Sequence, residues 1–350
     1  MDPRDGRILA MVSKPDFDPN LFARNILPEE WKSLMENPYH PLQNKGIQGQ
    51  YPPGSVFKIV TAIAGLESGI ITPNTQFVCT GQYPYGNRNF RCFKEEGHGA
   101  LSLHRAIVES CDIYFYQVGL KVGVDLIARY AEEFGLGKTT SISLPHEKPG
   151  IVPSPSWRKR RSGVPWYSGE TLSLAVGQGY INATPLQLVT LISAVANGGI
   201  LYVPKVVEKV VDIYGKTLKE YPPVERGRAN VSENNLRIVQ EALKGVVNEP
   251  HGTGWACALK DVNVAGKTGT AQVVRMAQDF KRGDMERMPL KFRDHSWFVA
   301  YAPFENPSIA VAAIVEHGGF GGAVAAPIVK KVLEKYFEIE SEILPEMVKR

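Results

Sequence analysis

Strand-like patterning lies at the two ends of the chain, and the stretch between them reads as helical. Arg7 to Ser13 follows an Asp5-Gly6 turn with the spacing of a strand. Val262 to Val274, Ser296 to Ala302 and Ser308 to Glu316 are β-rich, and Pro303 to Pro307 turns the chain between the last two. This order predicts one sheet assembled from both ends, with helices inserted between. At 350 residues the chain is long enough for a large core, as one domain with insertions or as two. Its composition, 43% hydrophobic and 22% charged, excludes extensive disorder. A net charge of +4, with no strongly basic half, gives nucleic-acid binding no support. No run reaches the 18 apolar residues of a membrane span.

Along the middle, the residues up to Gly49 are loop-rich with one short helical piece. A helix follows Pro52-Pro53-Gly54 and runs through Leu66, with Gly69 as its stop. Thr75 to Gly99 is irregular, Leu101 to Glu109 is helical, and a second helix starts at Ile113. Residues 138–180, rich in Pro, Ser and Gly, read as a long loop over the fold. Within it, Arg158-Lys159-Arg160-Arg161 is the one basic run, a solvated loop or a contact to a membrane or partner. Thr184 and Pro185 cap a helix that ends at Asn197-Gly198-Gly199. Val203 to Tyr221 forms a hairpin around Tyr214-Gly215, Glu233 to Val247 is helical, and Ala326 to Phe337 is the last helix.

The helix after Gly54 carries Ser55 and, one turn on, Lys58, inside an apolar run. A lysine there must be paired or neutral, and the serine sits where free N–H groups favour negative charge. An N-cap serine beside a snorkelling lysine would also explain the pair. Ser156 to Lys159 repeats the pattern without helical context, and Ser232-Glu233-Asn234 reads as a helix cap. Company separates Ser55 from these: Ser110-Cys111-Asp112 lies at a helix-to-helix turn, and Lys267-Thr268-Gly269 lies in a strand. Average residue frequencies give on the order of a tenth of a Lys-Thr-Gly per chain of this length.

In these motifs and their order the sequence resembles the penicillin-interacting serine acyltransferases. DPRDGRILAMVSKPDFDPN, GQYPPGSVFKIVTAIAGLESG, ESCDIYFYQVG, AVGQGYINATPLQL and VAGKTGTAQV are similar to the transpeptidase domain of the penicillin-binding protein 2 family. Those are class B, cell-elongation D,D-transpeptidases of peptidoglycan synthesis. The likeness runs over residues 1–337, leaving 338–350 as a tail. It implies an α/β fold, with a five-stranded antiparallel sheet flanked by helices and an all-helical subdomain at about 50–200. It also implies an N-terminal membrane helix and pedestal domain outside this sequence, which accords with the polar turn that follows Met1 at once. The expected place is the periplasmic face of the bacterial inner membrane. The expected partners are peptidoglycan stem peptides, β-lactams and a membrane glycosyltransferase of the elongation machinery.

Carried onto matching positions, the resemblance implies that Ser55 attacks the carbonyl of the penultimate D-Ala and Lys58, as neutral amine, takes its proton. Burial and the charge of Lys267 would depress the Lys58 pKa. Ser110 would pass a proton to the departing D-Ala amine. Lys267 would bind the terminal carboxylate with Thr268 and Thr270, while Gly266 and Gly269 keep the strand edge open. Backbone N–H groups of Ser55 and Thr270 would form the oxyanion hole, about 2.7–4 kcal/mol per donor. Asp112 departs from the superfamily asparagine: an ionised Asp only accepts, so it either serves the substrate or pairs with Lys58. Gln178 and Asn182 read as floor of the site and His317 as structural. Rival readings on the same scaffold are a β-lactam hydrolase, for which no E-x-x-x-N signature stands between the second and third motifs, and a penicillin-sensing receptor.

Catalysis of this kind calls for no cofactor. Four cysteines nevertheless need a reading. A substrate outside the cytoplasm favours a Cys79–Cys92 disulfide. Spacing offers another answer: Cys79, Cys92, His98 and Cys111, separated by 12, 5 and 12 residues, make a Cys3His set suited to tetrahedral zinc. The stretch between them is poor in apolar residues, and Cys111 lies between Ser110 and Asp112. A metal there would hold that catalytic turn from behind.

Overall fold

Helices begin where short side chains can take up the unpaired N–H groups of a first turn. In the computed structural model, which describes residues 1–274 and 288–338, Thr184 Oγ1 accepts from Gln187 N and the Gln187 side chain accepts from Thr184 N. The same logic, with Ser154 and Ser232 as caps, starts the helices at Pro155 and Glu233. The helices are α1 (Pro28–Glu36), α2 (Lys45–Gln48), α3 (Lys58–Glu67), α4 (Leu103–Val108), α5 (Asp112–Val122) and α6 (Val124–Glu133). They continue with α7 (Pro155–Ser162), α8 (Ser168–Ala175), α9 (Pro185–Ala196), α10 (Glu233–Asn248) and α11 (Gly321–Phe337).

Four short strands, β1 (Phe77–Cys79), β2 (Gln82–Tyr85), β3 (Arg88–Arg91) and β4 (Gly99–Leu101), fold the stretch expected to be irregular into two small ladders. Leu101, expected to open a helix, ends β4, and Ser102 precedes α4. β5 (Ile200–Tyr202) pairs with β8 (Glu225–Arg228), and β6 (Lys209–Val211) with β7 (Thr217–Glu220) as the expected hairpin.

The main sheet is antiparallel: β9 (Ala265–Ala271), β10 (His295–Ala302) and β11 (Ile309–Val315), with β10 central. Side chains alternate across β10. Trp297, Val299 and Tyr301 join the large core with α3, α5 and α9, while Phe298, Ala300 and Ala302 pack under α11. Among the described residues this sheet has three strands, fewer than the five expected. Arg7 to Ser13 is not a strand: Arg7 makes one isolated bridge, to Lys205, and Leu9 and Val12 are exposed. The start of the chain still reaches the sheet, because Met1 exchanges both main-chain hydrogen bonds with Ala310 of β11. Residues 138–180 also differ from expectation, since α7 and α8 form there and Ser156 lies inside α7. Among the described residues no helix is long and apolar enough to cross a membrane. The expected tail beyond residue 338 lies outside them.

Candidate active site

Ser55 lies in a 3-10 turn, Gly54–Phe57, that leads into α3. The turn is wedged against the edge strand β9. Gly54 has φ +54°, and a Cβ there would stand 2.5 Å from Thr270 O. A Cβ on Gly269 would stand 2.8 Å from Pro53 O and from the Trp297 side chain. Gly269 therefore lets β9 pack on the nucleophile turn, and Gly266, whose Cβ would meet Val299 and Phe298, packs inside the protein. These positions serve close packing and not, as expected, an open strand edge.

Ser55, Ser110, Asp112, Thr268, Gly269 and Thr270 line one cleft of about 750 Å3. Lys58 and Lys267, each 0% exposed, approach it from behind. Lys58 Nζ donates to Asp112 Oδ1 at 2.7 Å, to Ser110 O at 2.7 Å and to Ser110 Oγ at 3.2 Å. Lys267 Nζ lies 2.9 Å from the same Ser110 Oγ and 3.4 Å from Thr268 Oγ1, which in turn contacts Thr253 Oγ1 at 2.9 Å. Ser110 has φ +54°, a left-handed conformation unusual for serine, and it places one hydroxyl between two ammonium-bearing chains.

Three motifs from three parts of the sequence thus form one continuous chain of polar contacts. Of the two partners the sequence left open to Asp112, the structure gives Lys58. Burial first, then the Lys58 charge, hold the Lys267 ammonium well below the ordinary lysine range against the pull of Asp112.

Further side chains brace the site. Gln178 Nε2 donates to Thr270 O at 2.9 Å and its Oε1 accepts from Gln272 N at 3.3 Å, so this side chain buttresses the end of β9. Asn182 lies elsewhere, its main chain bridging to Ile151. Tyr51, four residues before Ser55, donates to Glu316 Oε1 at 2.8 Å, and Glu316 also pairs with the buried Lys45. Despite burial, these two donors hold the Glu316 carboxyl below its usual range. Glu316 thereby ties the end of β11 to the approach of the nucleophile turn. His317, at φ +57°, donates its N–H to His295 Nδ1 at 2.9 Å and is structural.

Cys79, Cys92, His98 and Cys111 converge behind the same turn. Their ligand atoms lie within 4.8 Å of one another, and all four residues are buried. His98 Nδ1 is 3.5 Å from Sγ of Cys79 and of Cys92. Cys79 and Cys92 are free thiols, so the disulfide expected on compartment grounds is not formed. Hydrogen bonding with Cys111 first, then with His98, pulls the Cys79 thiol down to about 4 and Cys92 to about 6, while Cys111 is pushed up. Tetrahedral bonds of about 2.3 Å to zinc put sulfur ligands a little under 4 Å apart, so this donor set fits the metal. The cluster also touches the turn from Ser110 to Asp112 directly. Cys111 separates Ser110 from Asp112, and the main-chain N–H of Phe93, next to Cys92, donates to Asp112 Oδ2 at 3.0 Å.

The family description "Penicillin binding protein transpeptidase domain" matches residues 1–334. The chain is similar to the peptidoglycan D,D-transpeptidase MrdA of Salmonella typhimurium, 38% identical over 346 residues, covering 97% of this chain and 55% of that protein. It is 35% identical over 336 residues to MrdA of Escherichia coli K12, covering 95% and 53%. Among solved structures it resembles penicillin-binding protein 2 of Pseudomonas aeruginosa in complex with WCK 5153, with a TM-score of 0.82, 35% identity, and 96% and 69% coverage. A complex of the Helicobacter pylori penicillin-binding protein PBP2 with MreC gives a TM-score of 0.85 at 32% identity, with 97% and 59% coverage. The chain spans about half the length of the curated relatives it matches. With its fold, its three ordered motifs and these relatives in agreement, the chain belongs to the penicillin-binding-protein transpeptidase family.

Proposed function

We propose that this chain is a serine D,D-transpeptidase domain that cross-links peptidoglycan stem peptides, and that residues 1–337 act as one catalytic unit. The observation that carries this reading is the Lys58–Ser110–Lys267 chain behind a cleft lined by Ser55. At rest, Lys58 is paired with the Asp112 carboxylate, while burial beside another cation loosens the hold of Lys267 on its proton. A stem-peptide carboxylate arriving at Lys267, Thr268 and Thr270 favours a proton on Lys267. Lys58 gives a proton to Ser110 Oγ as Ser110 passes its own to Lys267, and Lys58 becomes a free amine. It then accepts the Ser55 proton as Oγ attacks the penultimate D-Ala carbonyl, with the N–H groups of Ser55 and Thr270 on the oxyanion. The departing D-Ala amine takes a proton back through Lys58 and Ser110. The amine of a second stem peptide resolves the acyl-enzyme and closes the cross-link. β-Lactams enter as acylating mimics of the same peptide end.

Zinc, bound by Cys79, Cys92, His98 and Cys111, would act structurally, holding Ser110 and Asp112 in place through Cys111 and the Phe93 N–H. Similarity to the elongation-type relatives supports a full protein at the periplasmic face of the inner membrane, working with a membrane glycosyltransferase.

Intact-mass measurement after benzylpenicillin treatment, followed by peptide mapping, tests the catalytic reading. One long-lived adduct on the Ser55 peptide is expected, and none after Ser55→Ala. Rapid release would favour a hydrolase, and an adduct elsewhere would sink the assignment. Metal analysis of the unreduced protein should find about one zinc per chain, lost with slower acylation in Cys111→Ser. A mapped Cys79–Cys92 disulfide without zinc would overturn that part.

A further inference from the structure

Helix α7 has no place in the core. None of its eight residues, Pro155 to Ser162, is buried. Its last turn carries Lys159, Arg160 and Arg161, all exposed, and none of the three forms an ion pair among the described residues. Between Ile151 and Ile181 four cations face a single carboxylate, Glu170, and Arg158 already occupies it at 3.1 Å. Aromatic rings are interleaved with these charges. The Arg161 guanidinium lies 5.4 Å over Trp157, and that of Arg158 lies 4.8 Å over Tyr180. Trp157 and Tyr180 contact each other at 5.4 Å, and Tyr167 nearby is 57% exposed. Tyr180 stands two residues beyond Gln178, which lines the cleft and holds Thr270. The basic and aromatic surface therefore continues the active-site rim outward from Gln178.

A helix C-terminus attracts cations through its dipole, about 0.3–1 kcal/mol each when exposed. That accounts for basic residues in the last turn, but not for the half-buried Trp157 and Tyr180 and the exposed Tyr167 that accompany them. A membrane-surface helix needs an apolar face opposite its charges, and the sequence PSWRKRRS has none beyond Trp157. What the surface does fit is an extended polyanion with flat, hydroxyl-rich rings: carboxylates for the guanidinium and ammonium groups, sugar faces for the aromatic rings.

We propose that the ledge formed by Lys159, Arg160, Arg161, Trp157 and Tyr167 binds the carboxylate-bearing peptide–glycan strand beside the reacting stem, so that polymer is retained at the cleft. The inference rests on the transpeptidase reading and extends it to a second surface outside the catalytic groups. Its test uses the 350-residue chain with Lys159→Ala, Arg160→Ala and Arg161→Ala combined. Co-sedimentation with insoluble peptidoglycan sacculi should weaken about tenfold at about 50 mM salt, the gap closing at about 300 mM. Benzylpenicillin acylation of Ser55 should stay at the parent rate, and the urea midpoint should be unchanged. The charge-keeping pair Arg160→Lys and Arg161→Lys should retain most of the binding. Sacculi whose carboxylates have been amidated should bind the parent as weakly as intact sacculi bind the triple variant. Parent-like sedimentation of the triple variant would overturn the proposal, as would a parent that does not sediment with sacculi. So would loss of binding only to phosphatidylglycerol vesicles, which would mark a lipid surface. Failure of Ser55 acylation in the parent would instead strike the transpeptidase reading, a separate outcome.

Discussion

Two Ser-x-x-Lys tetrads occur in this chain, Ser55 to Lys58 and Ser156 to Lys159, each close behind a proline at the start of a helix. The first leads into α3, whose residues from Lys58 to Leu66 are all buried. The second opens α7, where no residue is buried. Lys58 accordingly has three hydrogen-bond partners, supplied by Ser110 and Asp112, whereas Lys159 is exposed to solvent. Ser156 Oγ spends itself on Ser154 Oγ at 3.0 Å in an ordinary cap, and Ser55 faces a cleft. The same four-residue spacing thus yields a buried, paired lysine beside a cleft in one place and a solvated surface in the other. Burial and distant companions make the difference, because a lysine removed from water must find its partners within the fold.

The largest expected contrast is chemical. Lys58→Ala should slow benzylpenicillin acylation by about 10²–10⁴, the usual range for a lost general base, while Lys159→Ala leaves the rate unchanged. Stopped-flow acylation kinetics on both variants measure this, and equal rates would erase the distinction between the tetrads.

A smaller contrast lies in the backbone that presents each tetrad. Gly54, at φ +54°, would set its new Cβ 2.5 Å from Thr270 O, whereas Gly163, at φ +69° after α7, has nothing within 4 Å. Gly54→Ala should destabilise the chain by about 3 kcal/mol or more and slow acylation, because strain and overpacking add. Gly163→Ala meets only the left-handed penalty, about 1 kcal/mol. Urea midpoints at pH 7 compare the two.

The smallest effect is a pH dependence on the Ser55 side. Tyr51 stacks edge-on against His295 at 5.3 Å. Burial first, then His317 and Lys45, lower His295 to about 4, against the pull of Glu316. The ordinary histidine value is about 6.5, so between about 6.5 and 4 the unfolded chain binds a proton that the native state refuses. Stability should therefore fall as pH drops through that window, by about 1 kcal/mol given the partial solvation of the ring. His295→Asn, which keeps an acceptor for the His317 N–H, should flatten the decline, and urea midpoints at pH 7, 5.5 and 4.5 would show whether it does.

Much of this was legible from local chemistry. The cap at Thr184-Pro185, the stop at Gly69 and the β-rich runs of β10 and β11 are properties of neighbouring residues, and the structure follows them. α7 was legible too, through Ser154, Pro155 and Gly163, but the high Pro and Ser content of the region hid it behind a loop reading. Arg7 to Ser13 carried a strand-like pattern that no neighbouring strand takes up, since Met1 holds the place beside Ala310. β propensity records fitness for a pleated surface and does not supply a partner.

By itself the sequence determined which residues carry reactive groups and how each sits on its own turn or strand: Ser55 in a helix-initiating turn, Ser110 and Asp112 at a turn between helices, Lys267 on a strand, and three cysteines with one histidine at intervals a metal can use. Only the tertiary structure decided that Asp112 belongs to Lys58, that Lys58 and Lys267 both lose their water and meet at Ser110, and that Gln178 and Glu316 brace the walls of the cleft. Caps and periodicity act over three or four residues of chain, whereas Ser110 lies 52 residues from Lys58 and 157 from Lys267. Coulomb energy and desolvation depend on distances and burial in space, and those come into being only when the helical middle closes onto the edge of β9.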